Sequence, residues 1–308
     1  MISPQTGKHH IPLYGATLIV GIAVISSLTN SLTHSLPVDF PASQVLFFKA
    51  GIGFAFVSLW FGGNLRRLLT TKHLRWHFLK GATGAAGNGL WIAAVQVLPL
   101  ADSSALSLTS ALITTVGAYY FFNEVPKKSI IGSIAVGFLG VLFILKPSMG
   151  IFQFYSVYPL LSALAFSVSS LIVKKVSLTD PSETTLCYLL LFMALFSVIP
   201  ALYFWHPITL SMALKLMGIA ALYAVGQLAL IEAYTYTQAA FLAPFKFSRF
   251  PLAIASGWLF FGERFSWSTL LGGAIIIASY FYLLRQKNNI NAVPVCHYEE
   301  PLKKSIPG

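Results

Sequence analysis

A chain of 308 residues that is 56% hydrophobic and only 9% charged, with a mean hydropathy of +0.75, lies outside the range of a water-soluble domain. In a soluble protein its net charge of +11 would suggest a nucleic-acid partner. Here the cations mostly fall between apolar runs, so the charge reports membrane topology and no nucleic acid is expected.

Ten apolar runs have the length an α-helix needs to cross ~30 Å of hydrocarbon. In chain order they predict spans at about 11–29, 41–61, 76–98, 101–122, 129–145, 155–173, 184–205, 213–234, 238–261 and 266–284. The first reads as an uncleaved helix, because "VISSLTN" offers no small-x-small cleavage site. With the amino terminus placed inside, 14 of the 20 Lys and Arg residues fall on the inner side and only Lys146, Lys215 and Arg264 on the outer side. That excess predicts both termini in the cytoplasm and an even number of spans. The remaining three cations, Lys49, Lys246 and Arg249, fall within spans. From Arg285 the chain is polar and punctuated by prolines, a cytoplasmic tail without fixed structure.

The halves repeat one pattern. "GNGLWIAAVQVLPLADSSA" from Gly87 aligns without a gap on "GQLALIEAYTYTQAAFLAP" from Gly226, and the same offset pairs "VGAYYFFNE" with "ASGWLFFGE". Five spans per half is an odd number, so the second copy enters from the opposite side of the membrane. The predicted fold is an all-α integral membrane protein of ten transmembrane helices in two inverted five-helix repeats. Its divisions are 1–148, 149–285 and a tail at 286–308.

"QVLFFKAG", the passage from Gly87 to Leu112, "FFNE" and "FFGE", "GFLGVLFILKP" and "APFKFSRFPLAIASGWLFFGE" occur in an order that resembles the drug/metabolite transporter superfamily in its bacterial EamA branch. "APFKF" and "GFLGVLFILKP" are also similar to S-adenosylmethionine uptake carriers. The resemblance implies a transporter of the bacterial inner membrane. It also implies a basic residue in the second span, usually arginine; Lys49 keeps the charge without the bidentate fork.

The stretch "APFKFSRFP" places Lys246, Arg249, Pro244 and Pro251 in the ninth span. Two cations at helix centre cost about 5–7 kcal/mol on an insertion scale, against about 3–6 kcal/mol returned by the ten Phe, Leu and Ile residues of that span. Lys246 and Arg249, three apart, therefore face an interior. The prolines free the carbonyls four residues earlier, so the segment reads as the bent wall of a cavity. Glu232, placed inside the eighth span, lies where a short turn could bring it near Lys246, either as a structural ion pair or as a coupling carboxylate. Lys49 has the same two readings.

Three interior cations against one carboxylate favour a substrate bearing a carboxylate or phosphate. Asn88, Gln96 and Gln227, with Trp91, Tyr223, Tyr234, Tyr236, Phe245 and Phe247, could orient the rest of it. The candidate binding residues are Lys49, Asn88, Trp91, Gln227, Glu232, Tyr234, Phe245, Lys246 and Arg249. The run "SSALSLTSALITT" reads as a close helix-packing surface, Glu124 and Glu263 as local pairs or caps, and the histidines as loop residues without chemistry.

Neither cysteine, Cys187 nor Cys296, belongs to a disulfide framework or metal cluster, and no cofactor is expected. No HExxH, paired intramembrane aspartates or nucleophile with a base indicates an enzyme, and no Walker loop indicates ATP use. The expected function is secondary transport of a small anionic or zwitterionic metabolite by alternating access, by a monomer or homodimer in the lipid bilayer. The alternatives are an S-adenosylmethionine or amino-acid carrier working by exchange, and a non-transporting subunit or receptor.

Overall fold

The computed structural model describes residues 12–37, 39–62, 68–98, 100–122, 128–145, 155, 157–177, 179–262 and, in a last helical stretch, 267, 271–272, 274–275, 277–279 and 282. Glu124, Lys127, Lys146, Glu263, Arg264, Cys296 and the tail lie outside the described residues.

Among those residues every regular element is helical: α1 Pro12–His34, α2 Ala42–Trp60, α3 Leu74–Val97, α4 Leu100–Ser107, α5 Thr109–Phe122, α6 Lys128–Leu145, α7 Val157–Val176, α8 Ser182–Tyr203, α9 Leu210–Tyr236, α10 Ala239–Leu242 and α11 Arg249–Phe261. A 3₁₀ turn at Pro244–Ser248 joins α10 to α11. The fourth span is α4 with α5, the ninth is α10 to α11, and the stretch from 267 to 282 is the tenth. The ten spans expected from hydropathy are therefore present.

Large apolar side chains are exposed on the outward faces, among them Leu59, Ile199 and Leu210 at 77%, 76% and 79%. Such faces are stable only against acyl chains. Hydroxyls inside the helices return their donors to the carbonyl one turn back, as Thr29 does to Ile25, Ser31 to Ser27 and Thr115 to Ala111, which satisfies them where no water is at hand.

Because lipid is as apolar as leucine, close packing holds the helices together. A Cβ added at Gly81 would sit 2.2 Å from Phe192 Cβ, and one at Gly117 2.4 Å from a methyl carbon of Leu171. Glycine lets α3 approach α8 and α5 approach α7 at those points. The dominant pairings are α1 with α9, α3 with α7, and α2 with α8, followed by α3 with α8 and α2 with α9. Exchanging the halves turns the α1–α9 pair into α7–α3, turns α2–α9 into α8–α3, and leaves α2–α8 unchanged. The aligned glycines take equivalent places: Gly87 meets Ala165 and Phe166 of α7, and Gly226 meets Ile25 of α1.

Chain ends of the two halves are also tied. Gln44, at the start of α2, exchanges hydrogen bonds with the backbone of His206, 2.9 and 3.0 Å long, just beyond α8. Near the start of α8, Tyr188 donates to the Leu69 carbonyl just beyond α2 at 2.6 Å.

Candidate functional site

Both fourth helices of the repeats are interrupted. The ninth span breaks at Ala243–Ser248, where Pro244 opens a 3₁₀ turn and Pro251 follows in the first turn of α11. The fourth span breaks at Leu108, between α4 and α5. The offset that pairs Gly87 with Gly226 also pairs Leu108 with Phe247. Paired interruptions at membrane depth are tolerated where they face protein or a cavity.

A cavity lies between them. It is lined by Ala23, Ser26, Ser27 and Asn30 of α1, Trp91 of α3, Ser104 and Ser107 of α4, and Arg249 and Ala253 of α11, with an empty volume of about 290 Å³, mouth included. Six of these nine residues carry polar side chains, so hydrogen-bonding groups stand on an otherwise apolar wall. The enclosed part of the cavity is about 20 Å³, room for about one water, so a metabolite enters only if the helices part. Trp91 Nε1 donates to Asn30 Oδ1 at 3.0 Å, fixing the indole against α1. Ser27 Oγ donates to the Leu252 carbonyl at 2.9 Å, tying α1 to α11 beside Pro251.

Arg249 is half-buried and makes no hydrogen bond or ion pair among the described residues. Its charge reaches Tyr223 and Tyr234 of α9. Tyr234 is fully buried, and its hydroxyl has no partner among the described residues. Lys246 donates to Thr114 Oγ1 of α5 at 3.2 Å and lies 6.0 Å from the Tyr234 ring centroid. Gln227 shares the face of α9 that carries Tyr223 and Tyr234, four and seven residues away.

Lys49, 4% exposed, donates to Asn88 Oδ1 at 2.8 Å and lies 4.2 Å from the Tyr223 ring centroid. Asn88 Nδ2 donates to Tyr223 Oη at 3.0 Å and to the Gly84 carbonyl at 2.8 Å, and Tyr223 Oη meets Met193 Sδ at 3.4 Å. Among the described residues the one ion pair is His77 with Asp180, so Lys49, Lys246 and Arg249 have no carboxylate within ion-pair distance.

The structure thus groups Trp91 and Arg249 on the cavity, sets Lys246 near Tyr234, and joins Lys49, Asn88 and Tyr223 in a second cluster. Three expectations change. Glu232 does not pair with Lys246; it sits one helical turn from Tyr236, whose ring packs edge-on to Tyr14 at 5.7 Å, away from the Tyr223–Gln227–Tyr234 face. Phe245 is 3% exposed and packs on Phe241, with ring centroids 5.4 Å apart, in the apolar core with Phe247 and Phe250. Gln96 donates to the Phe40 carbonyl at 2.8 Å, a chain-end tie.

Sequence reasoning missed Ser26, Ser27, Asn30, Ser104 and Ser107 on the cavity. The signal was present: small hydroxyl residues and an amide at helical spacing in the first and fourth spans, read only as packing or as a cleavage test. Lys80, counted with the inner-loop cations, is instead fully buried in α3 against α8, its Nζ 3.4 Å from the Thr185 carbonyl. His77, assigned no chemistry, is fully buried, stacks on Tyr188 at 4.8 Å and reaches Asp180 at 2.6 Å. Burial by itself would raise the Asp180 carboxyl. Hydrogen bonds from His77 and Thr71, with the positive charge of His77 and His73, outweigh it and hold the carboxyl below the usual carboxylate range.

The model of the EamA-like transporter family matches residues 13–146 and again 153–285. The chain is 30% identical over 281 residues to a riboflavin transporter of Vibrio cholerae, covering 90% of this chain and 94% of that one. A pseudopaline exporter of Pseudomonas aeruginosa is 25% identical, covering 89% and 96%. An S-adenosylmethionine uptake transporter of Rickettsia bellii is 25% identical, covering 85% and 87%. A solved crystal structure superposes with a TM-score of 0.70 at 15% identity, covering 94% of this chain and all of that one, which supports the fold. The chain therefore belongs to the EamA-like transporter family of the drug/metabolite transporter superfamily and is a multi-span membrane transporter rather than an enzyme.

Proposed function

We propose that this protein is a secondary transporter that moves a small anionic or zwitterionic metabolite across the bacterial inner membrane, with both termini in the cytoplasm. The observation that carries the reading is Arg249: a guanidinium without a counter-ion among the described residues, on a hollow lined in part by hydroxyls, between two helices interrupted at positions that the internal alignment pairs. An unpaired cation at membrane depth is expensive unless a ligand answers it, and a guanidinium fork fits a carboxylate or phosphate. The exchange symmetry of the helix pairings supports inverted repeats, an architecture that alternates access around a fixed midplane site. No Walker loop is present, so the driving force is a gradient or exchange.

A second reading is favoured by the riboflavin transporters among the relatives. A flavin offers a flat ring to Trp91 and hydroxyls to Asn30, Ser104 and Ser107, and needs no negative charge. The two readings separate in one experiment. Purified protein in liposomes is assayed for uptake of riboflavin, flavin mononucleotide, S-adenosylmethionine and glutamate. The charge reading predicts that the phosphorylated flavin, glutamate or S-adenosylmethionine enters and that Arg249→Ala lowers that uptake at least about tenfold. Riboflavin uptake alone, unaffected by Arg249→Ala, supports the flavin reading. Flux of none of the four counts against both and favours a receptor or a non-transporting subunit.

A further inference from the structure

Resting on the transport reading above, we infer that Asn88 is a placeholder for the substrate's anionic oxygen: it occupies Lys49 in the empty carrier and yields it when substrate arrives. The Lys49 ammonium is almost fully buried, yet its hydrogen-bond acceptor is a neutral amide oxygen at 2.8 Å and its other neighbour is the π face of Tyr223. A buried charge held only by neutral groups is under-compensated. An ionised oxygen makes a hydrogen bond about twice as strong as a neutral one, so a carboxylate or phosphate that reaches Lys49 displaces Asn88 Oδ1.

Asn88 is one helical turn from Trp91 on α3, and Trp91 lines the cavity beside Arg249. The displacement has a mechanical consequence. The Lys49–Asn88 bond joins α2 to α3, and Asn88 and Tyr223 continue the chain to Gly84, α9 and Met193 of α8. Substrate binding thus cuts one tie in a network that spans both halves, while Asn88 stays anchored through its Nδ2. Asn88 is a positioning residue, and Lys49 is the group that touches substrate.

The test compares Asn88→Asp with Asn88→Ala. A carboxylate introduced at position 88 holds Lys49 permanently, so the placeholder role predicts that the closer isostere is the worse transporter. Asn88→Asp should lose at least tenfold in turnover relative to Asn88→Ala, with KM raised. Asn88→Ala loses the same Nδ2 anchors without gaining a charge, so it should be the less impaired of the two, with KM no higher than that of Asn88→Asp. In thermal unfolding without ligand, Asn88→Asp should be a few degrees more stable than Asn88→Ala, and Lys49→Met should remove that gain in a double-mutant cycle. Active wild type with Asn88→Asp transporting as well as Asn88→Ala overturns the inference and leaves the transporter reading standing. So does a wild type that carries only uncharged riboflavin. A double-mutant cycle with no coupling also overturns the inference, even if both variants are slow. A wild type that moves none of the four probes overturns the transporter reading and the inference together.

Discussion

Arg249 and Asp180 show how the same class of group serves opposite purposes at different depths. Arg249 has space and no counter-ion, so its removal should cost function and little stability. Arg249→Ala is expected to lower uptake at least about tenfold, the loss of a charge-assisted bidentate contact, while the unfolding midpoint stays within a few degrees. Arg249→Lys should recover only part of the rate because an ammonium lacks the planar fork. Asp180 is satisfied by His77 and Thr71 at a chain end, so its removal should cost stability. Asn in its place leaves His77 without its charged partner, a loss of about 1–3 kcal/mol at pH 7. Because its folded carboxyl titrates below the usual carboxylate range, this contribution is complete above the unfolded value near pH 4 and disappears as pH falls through the folded one. The stability gap between wild type and Asp180→Asn should therefore narrow as the pH is lowered from 7 through the acid range. Curves that stay parallel from pH 7 to pH 3 would show that the carboxylate is not what His77 holds.

At the scale of helices, packing through glycine and interruption through proline set what can move. Gly81→Ala places a methyl group 2.2 Å from Phe192 Cβ, a backbone-anchored atom that cannot swing away, so α3 must leave α8. The expected loss is about 1–3 kcal/mol. Gly132→Ala in α6, with nothing within 4 Å of the added carbon, should be neutral or slightly stabilising. Equal effects at the two positions, measured by thermal unfolding, would contradict the packing account. The break in the ninth span was legible because Pro244 and Pro251 announce it. The break at Leu108 was not, because no proline or glycine marks it; repeat symmetry was the only route to it. The burial of Lys80 was equally hidden, since the lipid-facing and protein-facing sides of α3 are both apolar and neither period nor polarity tells them apart. His77 and Asp180 meet across 103 residues of sequence, a contact that no local pattern records.

For the whole molecule, internal alignment suggested two halves of the kind the family model matches at 13–146 and 153–285, and hydropathy gave the ten spans because membrane length is written along the chain. The cavity is written across it: α1, α3, α4 and α11 each supply one or more of its residues. Cation placement pointed to Arg249, which lines the hollow, and to Lys246, which does not, while the serines and Asn30 on its wall were indistinguishable from packing residues. The central claim is that this hollow is a water-accessible substrate site between the halves. Labelling of Ser107→Cys, in a background with Cys187 and Cys296 replaced, by a membrane-impermeant maleimide in oriented proteoliposomes tests it most directly. The account predicts labelling from either face in turn and protection by a transported substrate. A thiol at position 107 that never reacts from either side, under conditions where the protein is active, would contradict it.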